Sequence, residues 1–280
     1  MGGRYRLGPL IGQGGMGTVY VATRESEATT VAVKLLRGSV RDRVALERFD
    51  REARAALLLD HPNVVRVLDY GVDAERPFLV MELLEGETLA DLLDRERRLA
   101  TPRALRIVDE IGTALEAAHA RGVVHRDVKP ENTFLVSGAT GETVKLLDFG
   151  VAKVELDGPS SLTRSGTRLG TPPYMAPEQV RSSRSVDAAC DQYALGVVLF
   201  ELLTGTLPHL ADTAEAMLRA KLAHPPRDLS ALAPELSPGL AEAVMRALSP
   251  APEDRFASIS AFRTALASQA CSIPTARGPG

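Results

Sequence analysis

The sequence predicts an α+β protein of two unequal lobes: a small β-rich lobe with one main helix, then a larger and mostly helical lobe. Three observations predict this. At 280 residues the chain is long for one hydrophobic core and suits two lobes packed as one unit. Residues 5–81 carry short strand patterns around a single amphipathic helix pattern. Beyond residue 86 the character turns helical, and one of the helices is apolar on nearly every side.

Residues 5–36 read as strands. Gly12-Gln13-Gly14-Gly15-Met16-Gly17 is a turn-rich loop, followed by Val19 and Val21 and then by Val31-Ala32-Val33-Lys34. Arg43 to Leu59 reads as a helix whose apolar residues are Leu46, Phe49, Ala53, Ala56 and Leu57, with Pro62 just past its end. Two apolar runs, Val64 to Leu68 and Phe78 to Met81, read as the remaining strands of the small lobe. After Glu82-Leu83-Leu84-Glu85-Gly86, Thr101-Pro102 reads as a cap with proline at the first helical position. Leu105, Val108, Ile111 and Leu115 follow on one face, and Gly122 stands where a helix stop belongs. Asp191 to Leu203 is the all-round apolar helix, which marks it as buried inside a domain. Helical patterns continue over Pro238 to Leu248 and Ser258 to Leu266. The expected division is a first lobe at 5–81, a hinge at 82–86, a second lobe at 87–266 and a disordered tail at 267–280.

The formal net charge is −3, so no basic excess points to nucleic acid and no charged tail to a membrane surface. Two cysteines, Cys190 and Cys271, are too few for a disulfide scaffold and fit a reducing compartment. Cys190 reads as a core residue. Residues 1–6 lack the apolar stretch of a secretory signal, and Arg6 breaks the myristoylation pattern. The most apolar segment, Ala194 to Leu203, is interrupted by Glu201 and falls far short of the ~20 residues that span a bilayer. The segment is expected to be soluble and cytoplasmic, with no membrane contact of its own, either alone or as the cytoplasmic domain of a larger membrane protein. Five basic residues are lysine and 28 are arginine, and asparagine occurs only at Asn63 and Asn132. A GC-rich genome imposes such a bias, and it makes each lysine or asparagine more informative.

Gly12-x-Gly14-x-x-Gly17 is by itself a weak signal, because dinucleotide-binding folds share the spacing. In those folds a helix follows. Here Thr18 to Thr23 follows, with strand character. A glycine loop between two strands can offer N–H groups to phosphate, and it also fits an ordinary hairpin. Glu52, taken alone, reads as an exposed helix charge.

Further motifs run in order from Tyr5 to Leu266: Val31-Ala32-Val33-Lys34, His125-Arg126-Asp127-Val128-Lys129-Pro130-Glu131-Asn132, Asp148-Phe149-Gly150 after the short strand Val144 to Leu147, and Ala176-Pro177-Glu178. In this set and order the sequence resembles the protein kinase family. In the style of Met81-Glu82, Gly86-Glu87-Thr88-Leu89 and Ala176-Pro177-Glu178-Gln179 it resembles the bacterial serine/threonine members. The resemblance implies a bilobal protein kinase fold. It also implies transfer of the γ-phosphate of ATP, with Mg2+ or Mn2+, onto protein serine and threonine hydroxyls.

The same resemblance assigns roles. Lys34 would hold the α- and β-phosphates, and Glu52 would pair with Lys34 and fix it. Asp127 would accept or orient the substrate hydroxyl proton, and Lys129 would neutralise the transferring phosphoryl group. Asn132 and Asp148 would bind the metal, as oxygen ligands suit a hard cation. Gly12, Gly14 and Gly17 would cover the phosphates. Ile11, Val19, Ala32 and Phe134 would sandwich the adenine, Met81 would back the pocket, and Glu82 and Leu84 would offer backbone groups. For these apolar residues a plain core role stays equally open. Glu178 paired with Arg255, and Asp191 holding the catalytic-loop backbone, would be structural. Gly170 to Glu178 resembles the protein-substrate platform, with Thr171 as its threonine.

Control is expected at Thr167, eleven residues before Glu178, with Thr163 and Ser165 as secondary sites. Arg48, Arg126 and Lys153 would receive that phosphate. Transient self-association would serve autophosphorylation in trans. Glu131 and Glu201 stand where basophilic relatives face an incoming arginine. Two features depart from the family pattern: Tyr193 stands where tryptophan is frequent, and Ala56 is smaller than the usual residue. The alternative is a pseudokinase, the same fold used as a nucleotide-binding scaffold. Lys34, Asp127 and Asp148 are all present, which disfavours it. A small-molecule kinase is disfavoured by the platform.

Overall fold

The computed structural model describes residues 3–15, 17–38, 40, 43–138, 141–149, 172–181 and 187–270. The chain opens with strands β1 (Tyr5–Gly14), β2 (Gly17–Arg24) and β3 (Thr29–Leu36), forms helix α1 (Arg43–Leu57), and returns as β4 (Val67–Asp73) and β5 (Arg76–Met81). The five strands make one antiparallel sheet in the order β1-β2-β3-β5-β4. The two-residue period of β3 sets the two faces. Val31 and Val33 pack with Tyr5, Ala22, Phe78 and Val80, whereas Ala32 and Leu36 pack with Phe49, Ala53 and Ala56 of α1. Lys34 has the parity of Ala32 and Leu36, so the sheet delivers it on the α1 side. Val19 and Leu79 flank it in the register.

Two local expectations need correction. The buried residues of α1 are Ala45, Phe49, Ala53 and Ala56. Leu46 and Leu57 lie off that stripe and are 44% and 41% exposed. The helix is set by the small and aromatic residues that fit against the sheet, not by the leucines. The strand expected at Val64 to Leu68 begins only at Val67. Val64 and Val65 instead bridge to Leu146 of the larger lobe, with the Val65 N–H donating to the Leu146 carbonyl at 3.0 Å.

The larger lobe begins with β6 (Gly86–Thr88) and α2 (Leu89–Glu96). Thr88 and Asp91 form a reciprocal capping box, each side chain accepting from the other's backbone N–H. Next comes α3 (Thr101–His119), whose cap position falls on Ala100 rather than on the expected Thr101. Its face of Leu105, Val108, Ile111 and Leu115 is buried. A 3-10 turn, Pro130–Asn132, leads into β7 (Thr133–Gly138) and β8 (Gly141–Leu146), which form a second sheet with β6. The remaining helices are α4 (Pro177–Arg181), α5 (Ala189–Thr204), α6 (Ala214–Ala223), α7 (Leu229–Leu232), α8 (Pro238–Ala247) and α9 (Ile259–Ala270). Helix α5 is buried along nearly its whole length, and Gly205 ends it with a left-handed φ of 71°. Helices α3 and α8 pack against it. Helix α9 runs past Leu266, so residues 267–270 continue a helix where a tail was expected. No helix of the described residues is long and apolar enough to cross a membrane.

One buried fork ties α4 to the end of the lobe. Arg255 is fully buried at its side chain and donates to both Glu178 carboxylate oxygens at 2.7 and 2.8 Å. Its other N–H groups donate to the carbonyls of Ser249, Ala189 and Pro250. All five guanidinium donors are thereby used, which is the condition for burying this charge. Removing one partner strands the other, so Glu178→Ala is expected to lower stability by about 3–5 kcal/mol. Urea unfolding of the variant beside wild type measures this, and a loss under about 1 kcal/mol would contradict the role.

Candidate active site

The segment between α3 and β7 carries Asp127, Lys129 and Asn132, and its shape is imposed from α5. Asp191, in the first turn of α5, is fully buried. It accepts from the backbone N–H of His125 at 2.8 Å and of Arg126 at 2.7 Å, and from His119 Nε2 at 2.8 Å. Burial pushes its carboxyl up. The His119 hydrogen bond, the two nearby imidazoles and the His125 N–H more than offset this and bring it below the ordinary value. Arg126 adopts a left-handed φ of 65°, a costly conformation for a residue with a side chain.

His125 passes that order on. Its Nε2 donates to the Leu147 carbonyl at 2.7 Å, because a carbonyl can only accept. Its Nδ1 is then the acceptor for the Asp127 N–H at 3.2 Å. The His125 ring also meets Phe149 edge-on, with centroids 4.6 Å apart. One imidazole therefore positions both the Asp127 segment and the segment of Asp148.

Asp127 is buried, and Lys129 Nζ lies 3.0 Å from its Oδ2. Asn132 Nδ2 donates to Asp127 Oδ2 at 3.0 Å and to the Asp127 carbonyl at 2.9 Å. The amide nitrogen of Asn132 is thus committed, and its carbonyl oxygen is the atom left for a cation. Asp148 follows β8 with a left-handed φ of 64°. Lys34 Nζ sits 2.5 Å from Asp148 Oδ2. Oxygen donors from Asn132 and Asp148 fit a small divalent cation. Among the described residues no cluster of three or more His, Cys, Asp or Glu could hold a metal by itself.

The glycine loop is the β1–β2 hairpin, with Gly12 opposite Val19 and Gly14 opposite Gly17. A Cβ on Gly17 would run into the Leu35 carbonyl oxygen, so the loop can lie on β3 only with glycine there. Ala32 and Met81 are buried and paired across β3 and β5. Val19, Glu82, Leu84 and Phe134 are half-buried, and Ile11 is exposed. The Glu82 side chain accepts from the Arg66 N–H at 2.8 Å and from Lys145 Nζ at 2.6 Å.

The expected Lys34–Glu52 pair is not made. Lys34 is taken by Asp148, and Glu52 Oε2 is buried with no hydrogen-bond partner among the described residues. Burial raises the Glu52 carboxyl above its ordinary value, with Arg126, Arg51 and Arg48 pulling the other way. The helix therefore stands in a position that keeps Glu52 off Lys34 and leaves Oε2 without a hydrogen bond among the described residues. Beside it, Ala56 lines a cavity shared with Leu59, Val64, Val67, Leu79, Met81, Asp148 and Phe149. Glu201 is half-buried and accepts from the Tyr174 hydroxyl at 2.5 Å. Thr163, Ser165, Thr167, Thr171, Lys153 and Gly150 lie outside the described residues.

Three contacts escaped the sequence reading. Lys145 joins the hinge to β8 through Glu82. Asn63 donates to Glu110 Oε2 and the Val144 carbonyl and accepts from the Thr113 hydroxyl, fastening the turn after α1 to the larger lobe. Lys221 reaches the carbonyls of Pro173 and Met175. The rarity of lysine and asparagine was the available signal for all three.

A family description, "Protein kinase domain", matches residues 5–269. The chain is similar to "Serine/threonine-protein kinase Pkn1" of Myxococcus xanthus, 43% identical over 266 residues. That alignment covers 94% of this chain and 38% of the relative. It is similar to "Serine/threonine-protein kinase PknH" of Mycobacterium tuberculosis, 43% identical over 259 residues, covering 92% of this chain and 40% of the relative. The chain thus spans less than half the length of these relatives. Among solved structures, "Crystal structure of Rad53 1-466 in complex with AMP-PNP" aligns with a TM-score of 0.75 at 25% identity, covering 93% of this chain and 64% of that one.

Glu52 yields a stability test. A carboxyl whose folded value is raised favours the fold while protonated, and that contribution is lost as pH rises through the raised value. Glu52→Gln is therefore expected to match wild type near pH 4, below the ordinary glutamate value, and to exceed it near pH 8 by about 0.5–1 kcal/mol, allowing for solvent screening. Urea melts at the two pH values check it. A variant less stable than wild type at pH 8 would show that the carboxylate has a partner.

Proposed function

We propose, from the premise that this chain belongs to the protein kinase family, that it is an ATP- and Mg2+-dependent serine/threonine protein kinase acting on protein hydroxyls. The observation that carries the reading is the convergence of Asp127, Lys129 and Asn132 within hydrogen-bonding reach of one another, together with Lys34 on Asp148. Asp127 Oδ2 is the acceptor for the proton of the incoming hydroxyl, and Asn132 and Lys129 hold that carboxylate in place. Lys129, already beside Asp127, also faces the charge that builds on the transferring group. Lys34 exchanges Asp148 for nucleotide phosphate, which frees the Asp148 carboxylate. A Mg2+ ion held by Asp148 and Asn132 would supply charge neutralisation at the phosphates. Ala32, Met81, Val19, Leu84, Ile11 and Phe134 form the adenine slot, and Gly12, Gly14 and Gly17 cover the phosphates.

In this reading residues 5–266 are the catalytic unit, working in the cytoplasm, with protein substrates and a transient second copy as partners. Assembly of the site requires α1 to carry Glu52 to Lys34. Phosphorylation of Thr167 would supply the drive, drawing Arg48 of α1 and Arg126 together through charge-assisted bonds. One observation favours the scaffold reading as an alternative: the Lys34–Asp148 pair occupies two groups that transfer chemistry needs.

Labelled ATP and the purified chain separate the two readings, with Asp148→Asn as control. Transfer to protein by wild type and not by the control is the expected result. Asp127→Asn is expected to slow transfer by about 10²–10⁴-fold while nucleotide affinity, read by calorimetry, stays close to wild type. Transfer at the wild-type rate would remove Asp127 from its role. Thr167→Ala, and wild type treated with phosphatase, are expected to be at least about tenfold slower than the phosphorylated chain. Mass spectrometry fixes the phosphate's position, and full activity without it would sink the switch.

A further inference from the structure

We infer that Lys221 of α6 is a positioning residue for the protein-substrate platform, and so sets recognition of the acceptor protein rather than of the nucleotide. The inference rests on the kinase reading above. Lys221 is 2% exposed. Its ammonium donates to the Pro173 carbonyl at 2.6 Å and the Met175 carbonyl at 2.9 Å, and stands 3.5 Å from the Tyr193 hydroxyl. It also lies 4.8 Å from the centre of the Tyr193 ring. No carboxylate pairs with it among the described residues.

A buried ammonium without a counter-charge is costly, and burial pulls this one down to about 7. Packing alone does not explain it, because methionine would fill the same space without that cost. The backbone around it does. Residues 172–174 turn, and the Pro173 and Met175 carbonyls belong to no helix or strand. Among the described residues their hydrogen bonds come from Lys221. A three-donor head on a flexible stem suits two converging carbonyls, where a planar guanidinium does not.

The residue between those carbonyls is held from elsewhere: the Tyr174 hydroxyl donates to Glu201 on α5. The next step leads to the reacting groups. The Ala176 N–H donates to Gln179 Oε1 at 2.9 Å, and Gln179 Nε2 donates to the Arg126 carbonyl at 3.1 Å, beside Asp127. Lys221 therefore fixes a platform that is bonded to the catalytic segment, while among the described residues no hydrogen bond or ion pair joins it to Lys34, Asp148 or the glycine loop.

The test is a split between two Michaelis constants. A degenerate peptide array with wild type and labelled ATP first selects a serine or threonine peptide. KM for that peptide and KM for ATP are then measured for wild type, Lys221→Met and Lys221→Gln. Glutamine keeps two N–H donors on a shorter stem and is the variant to read if methionine does not fold. In the variants peptide KM is expected to rise at least about fivefold while KM for ATP stays within about twofold. A smaller rise, or an ATP KM that moves in step, overturns the inference. Wild type that phosphorylates no peptide sinks the kinase reading, and the inference with it. Wild type that does, with variants unchanged in peptide KM, sinks the inference alone.

Discussion

The site depends on one fully buried carboxylate. Asp191 sits at the start of the most buried helix of the larger lobe, where desolvation should make a charge costly. Two backbone N–H groups and an imidazole N–H converge on it, and the helix N-terminus favours negative charge there. Those bonds offset the left-handed backbone at Arg126, which would otherwise relax. From there the order spreads through His125 to Asp127 on one side and to Leu147 and Phe149 on the other. A reactive loop is thus positioned by the interior of a rigid helix.

A second buried centre organises the platform side. The Tyr193 ring meets two cations, with the Arg255 guanidinium carbon 5.0 Å and Lys221 Nζ 4.8 Å from its centre. Arg255 pins α4 through Glu178, and Lys221 pins the turn before α4. An aromatic ring attracts both cations through its negative face. A tyrosine in place of the frequent tryptophan keeps that ring and adds a hydroxyl within 3.5 Å of Lys221. The departure noted in the sequence is therefore matched by a local partner.

What the sequence does and does not reveal follows from the range of each contact. The candidate site residues are legible in the sequence because each motif fixes residue type and spacing within a few positions. Lys34 meets Asp148, and Asp127 meets Lys129 and Asn132. The Lys34–Glu52 pair was not realised, because it depends on the stance of α1, and local pattern carries no information about stance. The phase of α1 was misread for a related reason. Leucine count suggests one face, but the sheet accepts Phe49, Ala53 and Ala56, whose volumes fit. Val64 and Val65 looked like a strand of the small sheet, yet their partner Leu146 lies some eighty residues on. Contacts at that separation leave no local periodicity to read.

Composition preserved part of that long-range information. In a chain with 28 arginines and five lysines, every lysine among the described residues has an assigned oxygen partner. Lys34 meets Asp148, Lys129 meets Asp127, Lys145 meets Glu82 and the Val64 carbonyl, and Lys221 meets two carbonyls. The arginines include many exposed ion pairs, such as Arg43–Glu47 and Arg219–Glu215, where little depends on head-group shape. The buried Arg255 is the informative contrast. It faces a carboxylate end-on through its two Nη groups, and the planar fork satisfies both oxygens at once. Lys145 and Lys221 instead each meet two converging oxygens, and there a compact ammonium with rotatable donors fits. Both asparagines obey the same logic, since Asn63 and Asn132 each join separate backbone segments or side chains through one neutral amide.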